Sequence, residues 1–400
     1  MTIAPASSQQ VLTMQGIQVP ASAVNAAEFF AATRRQNLLM KSIASFQGLG
    51  NTDNIPILQT GIISHLRIRV YGSVTVTPGT GTVATNYPWP YNILKQLRFT
   101  ANGQSNLISI SGFGLKVLEK TNRLPNTDRG VSQYFGGAEP GTAYSQGTLS
   151  RNSEKWGLGS GVTAVPSGTY DFELVYEVGV AYDDLTLLGA IFAQTQSTDL
   201  ELAIDWAPES TLFTITGDAT VAVAASVVVE GTVYTIPSVN GGIVIPNLSA
   251  FHQITESRAP NAVSNGNNEI TLAGQGVGRQ LMRLGFRTIN NGITTFSPLA
   301  MNATNYTSLY WKYGGNTIPE QFYDGRMLRA FNEDLYDDDI GALFGYGFFD
   351  FSSQWAQRDS VDQGSATQLR FGFTIPNAVT LTSPYVEYIQ QVIVGGAVAA

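Results

Sequence analysis

The sequence predicts an all-β protein built as two β-barrels in tandem behind an N-terminal arm, and three observations carry that expectation. Its 400 residues exceed one ordinary domain and suit two of about 150 to 200 residues each. Charged residues make up only 13%, against about 25% in typical soluble domains, while Gly, Tyr and Phe are plentiful. Apolar residues recur with period two over several long tracts, the repeat of a half-buried strand.

From Ala21 to Phe46 the pattern is helix-like, with Phe29, Phe30, Leu38, Leu39 and Ile43 interleaved with Arg34, Arg35 and Lys41, which predicts an N-terminal arm or helix over residues 1–48. After Gly48-Leu49-Gly50 the period changes. Ile62, Leu66, Ile68, Val70, Val74 and Val76 point one way and His65, Arg67, Arg69 and Tyr71 the other, a long strand. Ile93 to Phe99 is its expected companion. Tyr170 to Val178 alternates against Asp171, Glu173 and Glu177, and Leu200 to Trp206 against Asp199, Glu201 and Asp205. Residues 183–192 between them read as a connection at one barrel end. The tract from Thr211 to Ile236 holds more β-branched residues than one closing strand needs, which leaves room for an extra outer hairpin.

Residues 237–268 are rich in Ser, Asn, Gly and Pro, so the junction between a first barrel (49–240) and a second (241–400) falls inside this stretch. Strand patterns then restart: Met282, Leu284 and Phe286 against Arg283 and Arg287, then Leu369, Phe371, Phe373 and Ile375 against Gln368, Arg370 and Thr374, then a final run from Tyr385 to Val394. Pro319 to Tyr336 predicts one interrupting helix, with proline at its first position and Phe322, Leu328, Phe331 and Leu335 on one side. Leu188 to Phe192 and Ile340 to Phe344 look alike, a similarity that chance and duplication explain equally well.

Composition narrows function. With 22 Lys+Arg against 30 Asp+Glu the formal charge is −8, so the summed field repels phosphate and direct contact with nucleic acid is not expected. Cysteine is absent, which removes disulfides and thiolate metal sites. The start, MTIAPASSQQ, has no basic stretch followed by an apolar one, and no run reaches the roughly 18 apolar residues of a spanning helix, so neither a signal peptide nor a membrane span is expected. A large surface of Ser, Thr, Asn, Gln, Gly and Ala suits wide, flat contacts with neighbouring subunits.

Candidate chemistry is sparse. Of the two histidines, His65 shares a strand face with Arg67 and Arg69, a cationic setting poor for a base, and His252 falls in the junction. Gly274, Gly276 and Gly278 resemble a nucleotide-binding glycine loop but open a strand, so a turn or bulge is expected. Asp337, Asp338 and Asp339, preceded by Glu333 and Asp334, offer oxygen ligands for a cation without any known loop spacing, or simply solvated charge at a helix end. Tyr87-Pro88-Trp89-Pro90-Tyr91 either stacks on sugars or a partner, or packs its own barrel as a rigid corner. Arg34, Arg35 and Lys41 beside Phe29 and Phe30 can meet an anionic surface such as phospholipid headgroups, or make ordinary protein contacts. No catalytic residue, cofactor or metal ion is expected.

The arm at Ala21 to Phe46, the strands at Gly61 to Val76 and Ile93 to Phe99, and the unit YDFELVYEVGVAYDDLTLLGAIFAQTQSTDLELAIDWA together resemble the double jelly-roll major capsid proteins of tailless, membrane-containing phages of the tectivirus type. NGGIVIPNLSAF resembles that family's crossover between barrels, and QLRFGFTIPNAVT with YVEYIQQVIV its closing strands. The resemblance implies two jelly-roll barrels per chain and a homotrimer that tiles an icosahedral shell around an internal membrane enclosing double-stranded DNA. It implies minor capsid, penton and spike proteins as further partners, assembly in the host cytoplasm, a place in the virion, and Arg34, Arg35 and Lys41 as membrane-facing contacts. Two other readings predict different behaviour. One is a glycan-binding or glycan-cleaving β-sandwich of a viral spike or secreted enzyme, motivated by the loop from Tyr87 to Tyr91 and by the acidic clusters; the other is a single capsid barrel with a separate receptor-binding domain, joined by a protease-sensitive linker near Asn261 to Asn268.

Overall fold

The structure, a computed structural model, describes residues 11–395 except 15–16, 21–22, 44, 102–103, 122–154, 195–198, 260–262, 275, 291–296, 314–316, 337–339, 341–344, 353–358 and 364–368. Two sets of eight strands organise it. The first comprises β1 (Arg35–Ile43), β2 (Thr52–Pro56), β3 (Ile62–Thr77), β4 (Leu94–Ala101), β5 (Gln104–Ile110), β6 (Gly168–Gly179), β7 (Leu200–Trp206) and β8 (Thr220–Tyr234). The second comprises β9 (Phe251–Arg258), β10 (Gly266–Thr271), β11 (Arg279–Asn290), β12 (Thr307–Tyr313), β13 (Thr317–Asp324), β14 (Gly347–Asp350), β15 (Arg370–Ile375) and β16 (Tyr385–Val394).

Each set makes two facing sheets in the same order. In the first barrel β1-β8-β3-β6 faces β2-β7-β4-β5; in the second β9-β16-β11-β14 faces β10-β15-β12-β13. This is jelly-roll connectivity twice over, and within each barrel the described strand neighbours are antiparallel. Between the barrels β5 runs parallel to β9, with Ile108 opposite Ile254 and Ser109 opposite Thr255. That pairing fuses the inner sheets of both barrels into a single sheet of ten strands.

Period-two burial decides the register. On β3, Leu66, Ile68, Val70, Val74 and Val76 face the first core, while Arg67 and Arg69 turn outward to pair with Glu177 and Glu173 on β6 at 2.9 and 2.7 Å. Gly72 is the one place where β3 permits no side chain, because a Cβ there would lie 1.9 Å from the Ala224 carbonyl oxygen on β8. The first core adds Phe99, Tyr176, Ile204 and Trp206; the second is aromatic, with Phe286, Phe349, Phe371, Phe373 and Tyr388 in mutual contact. Ile254, Phe348 and Ile389 of the second strand set pack into the first core, so the barrels share apolar surface.

Several expectations need correction. The N-terminal tract is not one helix: α1 covers only Ala26–Ala32, capped by Asn25, whose side chain accepts from the Glu28 amide. Thr33 and Arg34 are then held to Thr235, and Arg35 to Ile43 joins β8 as a strand. A bulge opposite Val229 and Glu230 turns Leu38 and Met40 inward, so tertiary pairing overrides a helix-like pattern. Pro319 lies on strand β13, which pairs only with β12, and a proline without an N–H is tolerated on an edge. With α2 the shorter Gly112–Thr121, the helix expected from Pro319 is α3, which begins only at Gly325 and runs to Tyr336, with the Asp324 carboxylate accepting from the Met327 amide. The surplus of β-branched residues is absorbed by the 15 residues of β8, which pairs with both β1 and β3, and by a ribbon of Phe213–Thr216 with Thr82–Thr85. His252 is not in a linker but on β9.

Candidate assembly surfaces and the interbarrel cleft

The barrel junction is a polar seam. The helix α2 follows β5, and the Ser111 amide at its start donates to the Glu256 carboxylate of β9 at 2.7 Å. Across the neighbouring strands Arg258, Glu387 and Arg287 form one row, with Glu387 in register with both arginines. Arg287 donates to Glu387 at 2.6 and 2.9 Å, and its guanidinium lies 4.5 Å from the Phe113 ring of the first barrel and 4.8 Å from the Tyr346 ring of the second. Burial, then the neighbouring Glu387, pushes the Glu256 carboxyl above its usual range. A cleft of about 1030 Å³ opens over this seam, walled by Tyr87, Phe113, Thr214, Arg258 and Tyr385, with Glu256 at its floor.

Deeper in the junction lies Arg283, which the alternation sets opposite Met282, Leu284 and Phe286. Arg283 is buried and pairs with Asp350 of β14 at 2.8 Å, the two side chains being 5% and 2% exposed. Tyr182, from the loop after β6, donates its hydroxyl to Ser352 and meets the His252 ring edge-on at 5.4 Å. Burial holds His252 at a pKa of about 4, and its Nδ1–H donates to the Gly179 carbonyl at 3.1 Å. Alternation correctly set Met282, Leu284 and Phe286 on a strand, but β11 is covered on both sides, so the arginines are inside as well. The available signal was the pairing potential of Arg283 and Arg287 with acids on other strands, which one sequence does not place in register.

The nominated residues scatter. Arg34 is exposed at the turn after α1, whereas Arg35 and Lys41 lie six positions apart on the outer strand β1 and do not form one helical face. Arg35 and His65 both border a recess of about 140 Å³ that holds Asp184, Glu177 and Glu230. His65 therefore meets acid rather than a purely cationic face: it lies 3.2 Å from Asp184, and that hydrogen bond lowers the Asp184 carboxyl below its ordinary range. Trp89 and Tyr91 are core residues, the Trp89 indole donating to the Leu158 carbonyl at 2.9 Å, so the rigid-corner reading holds for them and only Tyr87 and Pro88 reach the cleft. Gly274 and Gly278 adopt left-handed φ of 72° and 74° in the turn before β11. Glu333 pairs with Arg329 at 2.9 Å, whereas Asp337, Asp338 and Asp339, like Gly341 to Phe344 and Gln368, lie outside the described residues. Among the described residues no cluster of metal-ligating side chains occurs, and no helix is long and apolar enough to cross a membrane.

Among the described strands β1 and β2 on the first barrel and β10 and β13 on the second each end a sheet with one neighbour, and β1 and β13 are the ones that carry the most exposed apolar side chains. Leu39 on β1 is 60% exposed and Tyr323 on β13 is 84% exposed, with Ile318, Met327 and Phe331 also at the surface beside β13.

No family model matches the sequence, and no curated protein matches it. Solved structures do. The chain is similar to the MCP of STIV, Sulfolobus Turreted Icosahedral Virus, at 16% identity and a TM-score of 0.60, covering 90% of this chain and 96% of that one. It is similar to the chain in the PBCV-1 virus capsid (12%, TM-score 0.55, 92% and 97%) and to the Faustovirus major capsid protein (10%, TM-score 0.52, 92% and 91%). At such identities the likeness is one of fold, and the fold is the double jelly roll: two eight-stranded barrels side by side in one chain.

Proposed function

We propose that this chain is the major capsid protein of an icosahedral virus, a structural subunit whose work is geometric rather than catalytic. The observation that carries the reading is the full-length match of a two-barrel chain, fused through β5 and β9, to capsid proteins of the same build. On this reading the subunits form homotrimers of pseudo-hexagonal outline that tile a shell in the virion, after assembly in the host cytoplasm, with minor capsid, penton and spike proteins at special positions. The finer assignment is to the tectivirus type, with an internal membrane between shell and double-stranded DNA. A formal charge of −8 supports a body that does not touch the genome. The membrane-facing element is the N-terminal segment: α1 packs through Phe29 with Ile62, Tyr234, Ile245 and Leu248 at one end of the first barrel, and Arg34 is exposed there. Of the three cations nominated for that role, Arg34 is retained, while Arg35 and Lys41 run along the sheet edge.

The division at residue 240 is part of the proposal. The chain between β8 and β9 forms a small hairpin, Ser238–Val239 with Gly242–Ile243, and crosses from one barrel to the other. Light scattering of the purified protein tests the function: a stable trimer is expected, and a monomer that hydrolyses polysaccharide would overturn it in favour of the glycan-active reading.

A further inference from the structure

This chain carries one barrel-to-barrel junction inside it, and the two edges that match that junction have no partner among the described strands. The internal junction joins the last strand of one barrel's inner sheet, β5, to the first strand of the next barrel, β9. The topological counterpart of β5 in the second barrel is β13, and the counterpart of β9 in the first is β1; both are open edges among the described strands. The two barrels are also alike just beyond these strands. A helix beginning with glycine succeeds both β5 and β13, and Leu115 and Leu328, at the same step along α2 and α3, are both buried.

We infer that β13 of one chain docks beside β1 of a second copy of the same chain, in the parallel sense of β5 beside β9, and that this contact is the between-subunit interface of the trimer. The inference rests on the capsid reading above and names the residues that make it.

Charge and apolar exposure agree with it. From Thr33 to Ile43 the chain carries Arg34, Arg35 and Lys41 and no acid, in a protein of net charge −8. Thr317 to Asp324 carries Glu320 and Asp324 and no base, so the two edges attract. Leu39 projects from the middle of β1, and Ile318, Tyr323 and Met327 flank β13. Pro319 removes one N–H from the first half of β13, which favours pairing towards its end, where Phe322 and Tyr323 lie. The internal junction likewise lies at Ile108 and Ser109, at the end of β5. Because the two edges differ, the contact is head-to-tail and can close a ring, which a two-fold contact between like edges cannot extend.

The absence of cysteine makes a direct test available. A chain carrying both Leu39→Cys and Tyr323→Cys, treated with a short bis-maleimide, is expected to give covalent dimers and trimers and nothing larger, whereas either substitution alone gives no cross-linked chain. As a second arm, Leu39→Asp and Tyr323→Asp are each expected to abolish the trimer, and an equimolar mixture of the two to recover heterodimers through the one intact pair of edges. Trimers that survive both Asp substitutions, or a double-Cys trimer that does not cross-link, would overturn the edge assignment while leaving the capsid reading intact. Dimers from one Cys alone would show like-with-like contact and overturn it too. A wild-type monomer would remove the trimer itself and the capsid reading with it.

Discussion

Trp89 and His252 are the residues at which local chemistry departs furthest from what a sequence suggests. Trp89, an obvious candidate for stacking on a sugar, is packed against Phe172 and Phe213 in the wall of the first barrel. Truncating it removes a large buried ring, so Trp89→Ala is expected to cost about 3–5 kcal/mol in urea unfolding rather than to abolish ligand binding on a folded protein. His252 is buried neutral, with its pKa lowered from 6.5 to about 4. The unfolded chain then binds the proton that the native state refuses, so the contribution is whole above pH 6.5 and is lost as pH falls towards 4, by about 3 kcal/mol at the limit. Glu256, raised by burial, acts in the opposite sense, its native form weakening as pH rises past its ordinary value of 4.5. His252→Asn keeps a donor for the Gly179 carbonyl and removes the titration. Its urea midpoint is expected to fall less steeply than wild type between pH 6.5 and 4, and an unchanged slope would exclude His252 as the source.

Strands are the elements the sequence shows best, because a barrel wall imposes period two on any residue that separates core from exterior. β3, β6, β7, β15 and β16 follow their predicted tracts to within a few residues. The failures have common causes. β1 and β13 are edge strands, one with adjacent Leu38 and Leu39 and a bulge, the other with a proline, and each mimics a helix in isolation. β11 hides its arginines because it is covered on both faces, a fact of packing that no local period contains. The pair of Arg283 and Asp350 gives a test at this scale. Arg283→Met removes the counter-charge of a buried carboxylate and is expected to cost about 3–5 kcal/mol, whereas adding Asp350→Asn, which removes the charge and keeps an acceptor for Tyr336 and Ser352, restores part of the loss. Equal destabilisation of the single and double variants would show that the pair contributes only packing. The loop after β6 is similarly constrained: Gly189 has φ of 80°, and a Cβ there would lie 2.5 Å from the His252 amide nitrogen, so Gly189→Ala is expected to lower the melting temperature.

At the scale of the molecule the barrels are not beads on a string. They share ladder bonds through β5 and β9, the Glu256 and Arg287 seam, and an apolar core that draws on both. Val263 and Asn268, inside the stretch expected to be a protease-sensitive linker, are buried, which argues against a detachable receptor-binding half. Calorimetry is expected to show one cooperative transition, and two separated transitions would contradict the shared core. Length, composition and charge made the two-barrel architecture legible in the sequence, but the seam between barrels was not, because its cross-barrel contacts join distant residues, Ser111 to Glu256 being 145 positions apart, whose meeting depends on the parallel pairing of β5 with β9. Electron microscopy of the purified wild-type protein bears most directly on the central claim. Trimers with six barrels in hexagonal outline, or closed shells, are the predicted result; a homogeneous population of single two-barrel particles at high protein concentration would contradict it.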